Sequence, residues 1–357
     1  MKFYMPAKLY SEHNCVAEHS RELSSLGRKA LIVTGKTSSK KNGSLDDVIS
    51  AISAYGTEYN LFDEVEENPS VETVMKARDA GVEGGADFVI GVGGGSAIDA
   101  AKGAALMIAN SDKDWEYMYN STGGKHLPLA AVPTTCGTGS EVTGVSVITR
   151  HDLKTKVSLK HRIFPALALS DGKYLLSAPR TLIINTAIDA FSHLIESGVN
   201  INADRSSMML VMAGLSLWKE CRPYIEGCED IDEKAALSLM DASTFGGMAI
   251  AQTGTTIPHA LSYMLTYSAG IPHGPAVGAF QANYLRFADK DLRGRLLGAA
   301  GFSDADSLDE FMKRLAPISP DRGLLEMSAE SVLAKPEKLA VCPYKLDRET
   351  VFRIADI

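Results

Sequence analysis

Asp87-Phe88-Val89-Ile90-Gly91-Val92 runs without a break into Gly93-Gly94-Gly95-Ser96, and a stretch with helical spacing follows over residues 97–110. A short, nearly continuous apolar run stopped by glycine reads as a strand buried on both faces, the pattern of a parallel sheet. The same pattern lies on either side of it. Upstream, Ala30-Leu31-Ile32-Val33-Thr34 ends at Gly35, and a helical stretch at 71–81 leads on from there. Downstream, Leu129-Ala130-Ala131-Val132-Pro133 ends at Thr134-Thr135. Strands alternating with helices predict a doubly wound α/β unit with a parallel sheet.

Beyond residue 179 the texture changes. Helical spacing holds over 183–198, 206–221, 233–251 and 281–287, and strand signals nearly vanish. A boundary near 177–179 divides the chain into an α/β half, 1–177, and a helical half, 178–357. At roughly 100–200 residues per domain, 357 residues accommodate two. No internal repeat or low-complexity linker separates them. The halves are therefore expected to share an interface, with the cleft between them as the place for a ligand.

Composition narrows the function classes. The chain is 45% hydrophobic and 22% charged, with a net charge of −8, so a packed core is expected and disorder is not. No long basic block argues for nucleic acid or an anionic membrane surface. The basic runs at Lys40-Lys41 and 154–162 read as solvated faces. Cys15, Cys136, Cys221, Cys228 and Cys342 are odd in number and form no C-x-x-C, which fits reduced thiols in a cytoplasm. Neither a signal peptide nor a spanning run of about 18 apolar residues is seen.

Two loops offer binding chemistry. In Gly93-Gly94-Gly95-Ser96, backbone N–H groups can approach a phosphate closely, and the helix that follows adds partial positive charge. The loop also fits an ordinary tight turn. A G-x-G-x-x-G fingerprint from Gly91 fails at Ser96, and a P-loop ending at Gly35-Lys36-Thr37 fails at Ala30. Asp99 and Lys102 follow on the same helix and by themselves read as solvated. The second loop, Pro133-Thr134-Thr135-Cys136-Gly137-Thr138-Gly139-Ser140-Glu141, combines hydroxyls with glycines directly after a strand. Such a polar cradle suits a ribose or a diphosphate.

A third constellation suits a metal ion. Asp189 and His193 stand four apart in an apolar helical stretch, so they share one helix face. Burying them without a partner would be costly. His259 and His273 each follow a proline, in Ile257-Pro258-His259 and Ile271-Pro272-His273-Gly274. Each histidine taken singly also fits a satisfied core position. Three imidazoles and one carboxylate would suit Fe, Zn, Mn or Ni better than Ca or Mg. His13, His19, His126, His151 and His161 sit in polar or mixed contexts and read as surface.

These separated motifs, in this order, resemble the iron-containing (group III) alcohol dehydrogenase family over essentially the whole chain. They are Gly93 to Ser96 with Asp99 and Lys102, Pro133 to Glu141, Asp189 through His193 to Glu196, and His259 to His273-Gly274. The resemblance implies a Rossmann-like dinucleotide-binding domain over 1–177 and an all-α metal-binding domain over 178–357, as also found in dehydroquinate synthase. It carries four metal ligands onto Asp189, His193, His259 and His273. It makes Gly93, Gly94, Gly95 and Ser96 the diphosphate loop and Thr134, Thr135, Thr138 and Ser140 contacts to the diphosphate and nicotinamide ribose. Asp99 joins the cofactor-binding set, Lys156 matches a lysine that reaches the cofactor, and Asn68-Pro69 resembles an adenosine-side turn.

The implied activity is that of a metal-dependent, NAD(P)-linked alcohol dehydrogenase or aldehyde reductase. Its substrate is a small primary alcohol or aldehyde, and the metal acts as Lewis acid on the substrate oxygen. Fe(II) is the implied ion, with Zn, Mn or Ni possible in its place, and a cytoplasmic homodimer is the expected form. Two departures from the family pattern stand out. Tyr263 occupies the position where many relatives carry a second histidine, discussed as a proton relay. Gly35 stands where NAD-preferring members often place an acid, with Lys36, Ser38, Lys40 and Lys41 nearby. The missing carboxylate removes repulsion against a 2′-phosphate, so NADP(H) is favoured over NAD(H), with Gly35 and Ser38 at that end of the cofactor. The rivals are a dehydroquinate synthase-like lyase that recycles NAD, a zinc glycerol dehydrogenase-like enzyme, and a non-redox metal-binding protein. An Asp-x-x-x-His pair is also similar to that of iron superoxide dismutase, whose chains are shorter and lack the nucleotide loops.

Overall fold

The computed structural model describes residues 3–357. Six strands form one sheet: β1 (Lys8–Ser11), β2 (Lys29–Gly35), β3 (Glu58–Val65), β4 (Phe88–Gly93), β5 (Leu129–Pro133) and β8 (Leu167–Ser170). Their order is β1-β8-β5-β4-β2-β3, and every neighbouring pair is parallel. β6 (Val147–Arg150) and β7 (Thr155–Ser158) make a separate antiparallel hairpin.

The central strands have the two-faced burial that their apolar runs require. β4 and β5 are buried at every residue. Leu31, Val33 and Val89 face the helices Val71–Gly84 and Gly95–Ala109 through Val74, Ala77, Ala101 and Ala104. Ala30, Ile32, Ile90 and Val92 point the other way, onto Val48 and Ile52 of the helix Ser44–Ser53. Alternate residues of one strand thus feed two cores, as strand geometry dictates.

The apolar runs pointed to β2, β4 and β5. β3 is an edge strand with Tyr59 and Leu61 exposed, so polar residues interrupt its pattern. β1, β6, β7 and β8 have four residues each, too few for a periodic signal. The helix expected at 97–110 begins at Gly95, with Gly94 as its N-cap and no side chain capping it. Its first turn therefore keeps backbone N–H groups free for an anion.

β2 lies between β3 and β4, so the chain leaves β2 toward one side and returns on the other. In doubly wound sheets that reversal opens a crevice beyond the carboxyl ends of the strands, and ligands bind there. Here those ends are Gly35 of β2 and Gly93 of β4.

After Ser170 no strand follows among the described residues. The helices Arg180–Gly198, Arg205–Glu220, Glu233–Thr253 and Ile257–Ala269 share a core that includes Phe191, Leu194, Leu215, Trp218, Leu239 and Leu261. Arg180–Gly198 runs through its centre, and residues 187–200 are all buried. Trp218 donates its indole N–H to Ala187 O at 2.7 Å.

The basic run 154–162 is not simply a solvated face. Lys156 and His161 within it are buried. His161 accepts from Gly124 N at Nδ1 (3.0 Å) and donates from Nε2 to Tyr117 O (3.0 Å), which corrects its expected place at the surface. His13, His126 and His151 are exposed, and His19 is partly covered. Among the described residues no helix is long and apolar enough to cross a membrane, and all five cysteines are free.

Candidate metal centre and cofactor loops

Asp189 and His193 lie one turn apart on the buried helix Arg180–Gly198. His259 sits in the first turn of Ile257–Ala269, next to Pro258, a residue suited to a helix start. His273 opens the short helix His273–Gly278. Gly274 makes that approach possible, because a Cβ there would lie 1.8 Å from Asn185 O. Any side chain would push His273 away from the central helix.

The three imidazoles converge on one oxygen. Nε2 of His259, His273 and His193 lie 3.4, 3.7 and 3.9 Å from Asp189 Oδ1. Asp189, His193 and His259 offer ligand atoms all within 4.8 Å of one another, and all three residues are buried. His273 is the most open of the four, with its side chain 24% exposed.

The opposite face of each ring is occupied. His193 Nδ1 donates to Gly137 O at 3.2 Å, and His259 Nδ1 donates to Glu196 Oε1 at 2.6 Å. His273 Nδ1 lies 3.4 Å from Ser262 Oγ, whose own proton goes to His259 O at 2.8 Å, so the histidine is the donor. With Nδ1 protonated in each ring, the Nε2 atoms present lone pairs toward Asp189. Asp189 Oδ1 and His259 Nε2 are buried without hydrogen-bond partners. Acceptors facing one another in a dry site require a cation, so the residues fit a divalent metal.

Without such an ion, charge concentrates on one ring. Burial opposes ionisation of Asp189, yet the imidazoles of His193, His273 and His259 outweigh it and hold the carboxyl below its usual range. Burial pushes His193 down, and it pushes His273 well down with help from the charge of Lys156. For His259, burial is overcome by Glu196 and Asp189, and its pKa rises to about 9.

Glu196 also belongs to this site, through its hydrogen bond to His259. It follows His193 by three positions on the same helix and is fully buried. The spacing Asp189, His193, Glu196 is i, i+4, i+7 along one face, which is the signal that could have found it.

The cofactor candidates gather at the carboxyl ends of β4 and β5. A Cβ on Gly95 would lie 2.5 Å from the Thr138 side chain, and one on Gly94 would lie 3.1 Å from Thr135. Thr134 N donates to Gly93 O at 3.0 Å. The two loops are therefore neighbours. Asn68, in the left-handed region at φ 57°, donates from its backbone N to Ser96 Oγ at 3.2 Å. Its side-chain oxygen accepts from Lys156 Nζ at 3.1 Å. Lys156 is buried, which lowers its pKa to about 8, and its Nζ lies 5.5 Å from the Tyr263 ring centre. Tyr263 stacks on His273 with ring centres 6.0 Å apart. Gly35 and Ser38 stand at the adjoining end of β2. Lys40 there is paired with Asp63, while Lys36 and Lys41 are exposed.

Asp99 and Lys102 are not the solvated pair that their spacing alone indicated. Lys102 is fully buried and donates to Ser140 Oγ (2.7 Å), Thr143 Oγ1 (3.3 Å) and Val145 O (2.7 Å). Asp99 accepts from Ser140 Oγ at 2.5 Å and Val147 N at 2.8 Å. Together they tie the second loop to the helix of the first. The second loop is also tied to the helical half. Gly139 packs on Gly247, where a Cβ on Gly139 would lie 2.5 Å from Gly247 Cα. Glu141 Oε1 accepts from Thr244 Oγ1 at 2.9 Å. The candidate metal site and the two glycine-bearing loops thus form one connected structure.

Known proteins resemble this chain in sequence and fold. Residues 6–172 match the family described as iron-containing alcohol dehydrogenase, and residues 183–317 match the C-terminal part of the same family. The crystal structure of an iron-containing alcohol dehydrogenase from Thermotoga maritima is 34% identical, covers 99% of this chain and 98% of its own, and superposes with a TM-score of 0.90. Alcohol dehydrogenase 4 of Schizosaccharomyces pombe is 29% identical over 296 residues, 82% of this chain and 69% of that protein. The NADPH-dependent butanol dehydrogenase of Clostridium saccharobutylicum is 29% identical over 295 residues, 81% of this chain and 74% of that protein.

Proposed function

The chain belongs to the iron-containing alcohol dehydrogenase family, and from that premise we propose that it interconverts a small primary alcohol and its aldehyde with NADP(H), using Fe(II) held by Asp189, His193, His259 and His273. The observation that carries the reading is the set of three imidazole Nε2 atoms around Asp189 Oδ1, placed beside a loop of hydroxyls and glycines. When bound, a divalent ion supplies Lewis acidity toward a substrate oxygen, and a nicotinamide accepts or delivers hydride.

The chain's own residues do the positioning. Asp189 provides the negative charge that three neutral rings lack. Gly93, Gly94, Gly95 and Ser96 present backbone N–H groups to a diphosphate, and Thr134, Thr135, Thr138 and Ser140 flank them. Asp99 and Lys102 keep Ser140 in place. Asn68 holds Lys156 at the edge of the site. Tyr263 fills the place beside His273 where many relatives carry another histidine, and its hydroxyl is our candidate for proton exit. No side-chain nucleophile is needed.

The preference for NADP(H) is supported by Gly35, which brings no carboxylate against a 2′-phosphate, and by the exposed Lys36 and Lys41. The name of the Clostridium relative agrees with it. We further divide the chain at 177/178 into a dinucleotide-binding and a metal-binding domain. Its free cysteines fit a cytoplasmic enzyme, which we take to be a homodimer.

The test is a panel of alcohols and aldehydes with NADPH and NADH on protein loaded anaerobically with Fe(II). Stoichiometric loss of nicotinamide absorbance on adding an aldehyde is the expected result. Full activity after chelation, or product formed without net cofactor consumption, would sink the reading.

A further inference from the structure

We propose that Glu196 is a positioning residue for His259: it fixes which imidazole nitrogen faces Asp189 and so sets the affinity of the site for its divalent ion. This rests on the metal reading above. Glu196 is fully buried in the helix that carries Asp189 and His193. Four donors surround its carboxylate. Oε1 accepts from His259 Nδ1 at 2.6 Å and Gln281 Nε2 at 2.9 Å. Oε2 accepts from Thr256 N at 2.7 Å and Thr256 Oγ1 at 3.0 Å.

An acceptor-only group suits four donors, and an ionised carboxylate is the side chain that provides one. The surroundings are built for it. Gln281, itself fully buried, turns its amide nitrogen to Glu196 and leaves its own Oε1 without a partner. Thr256 is the N-cap of the helix Ile257–Ala269, so the same carboxylate holds both the ring of His259 and the start of the helix that bears it. Ring and backbone are fixed together. With Nδ1–H committed to Glu196, the lone pair of Nε2 points toward Asp189 Oδ1, 3.4 Å away. Without that commitment the ring can place N–H on Nε2, where it cannot ligate an ion.

Glu196→Gln tests this with little change of shape. The amide keeps one acceptor oxygen and turns an NH2 group against existing donors. Zn(II) serves as the probe, with affinity measured by competition against a chromophoric chelator, on parent and variant whose metal-free melting temperatures are compared first. The expected result is binding weaker by roughly 10–100-fold in the variant. In the Zn(II)-loaded parent, proton–nitrogen NMR of the imidazoles is expected to show a proton on His259 Nδ1.

A folded variant that binds Zn(II) within about threefold of the parent overturns the proposal, since removing such a partner ordinarily costs far more. So does a loaded parent in which His259 Nδ1 carries no proton. The second result is read on the unaltered protein, so it can overturn the proposal even if the variant fails to fold. A parent that binds no divalent ion is a different failure, because it removes the metal reading itself.

Discussion

Gly137 O accepts the Nδ1–H of His193 at 3.2 Å. One loop, proposed to carry the cofactor, thereby sets the ring of a proposed metal ligand. Two residues further on, the loop rests on a helix by backbone contact, Gly139 against Gly247. A displacement at that contact should be felt at both sites.

Gly247→Ala makes the displacement. A Cβ there would lie 2.6 Å from Gly139 O and 2.7 Å from Gly139 Cα, and neither atom can rotate away. The loop must shift by a good fraction of an ångström. We expect kcat/KM to fall by on the order of 100-fold, the usual consequence of misplacing reacting groups by about 1 Å. Zn(II) affinity should weaken with it through His193. Steady-state kinetics and metal titration of the same preparation check this, and a change confined to the KM of the alcohol would contradict it.

Asp189→Asn removes the one charged acceptor among the four proposed ligands. The three imidazoles stay in place, but the amide offers no full negative charge and brings its own N–H groups into the site. Lewis-acid assistance is worth several kcal/mol, so turnover should drop by roughly 100- to 1,000-fold or more. Cofactor affinity should hold within about a factor of three, because the glycine-rich loop lies apart from the change. Fluorescence titration with NADPH separates the two effects.

The pH dependence follows from His259. Burial disfavours its charge, but Glu196 and Asp189 outweigh that and raise its pKa from 6.5 to about 9 in the metal-free protein. A raised folded-state pKa stabilises the fold fully below about 6.5, and the contribution disappears as pH climbs through about 9. The same proton must leave before Nε2 can ligate. Metal affinity is therefore expected to increase by about tenfold per pH unit up to about 9 and then level off. Chelator competition from pH 6.5 to 9.5 measures it, and a flat profile would exclude His259 as a ligand displaced from its charged form.

Cofactor choice should turn on Gly35. Its φ is not left-handed, and a Cβ there would meet Val65 O at 3.4 Å, so a side chain is tolerated. Gly35→Asp places a carboxylate at the end of β2, where it can bond a ribose 2′-hydroxyl and repel a 2′-phosphate. A charged hydrogen bond gained or lost corresponds to about tenfold or more in the NADPH to NADH ratio of kcat/KM. An unchanged ratio would place the adenosine end of the cofactor elsewhere.

What the sequence disclosed depended on how many residues each signal needs. β2, β4 and β5 were legible because burial on both faces leaves a run of apolar residues. β3 was not, because an edge strand keeps polar residues on its open side, and β1 and β8 are too short to show a period. At the site, Asp189 and His193 stood out because a charged residue and an imidazole break an apolar helix four positions apart. Glu196 breaks the same helix and fell within a motif, but its role appears only where Thr256, His259 and Gln281 arrive from elsewhere in the chain. Lys102 was hidden for a similar reason. A lysine on a helix is ordinarily solvated, and the loop that covers this one is about 40 residues away in sequence.

Lys102→Met tests what that buried lysine does. It removes three donated hydrogen bonds and leaves Asp99 without its nearest cation. Breaking a buried pair by deleting one partner costs about 3–5 kcal/mol, so a loss of that order is expected in urea unfolding. The pH dependence identifies the cause. Burial, opposed by Asp99, lowers the pKa of Lys102 from 10.5 to about 8. The folded state thus binds fewer protons than the unfolded state between those values, and stability from this group rises with pH across that window. The variant lacks the group, so the stability gap between parent and variant should widen from pH 8 upward. Contributions from His259 and Lys156 are common to both proteins and cancel in the difference. Ser140, freed on one side, should also let the proposed cofactor loop loosen and raise the KM for NADPH. A gap below about 1 kcal/mol at every pH would mean that Lys102 is only filling space, since methionine can fill the same space without a charge.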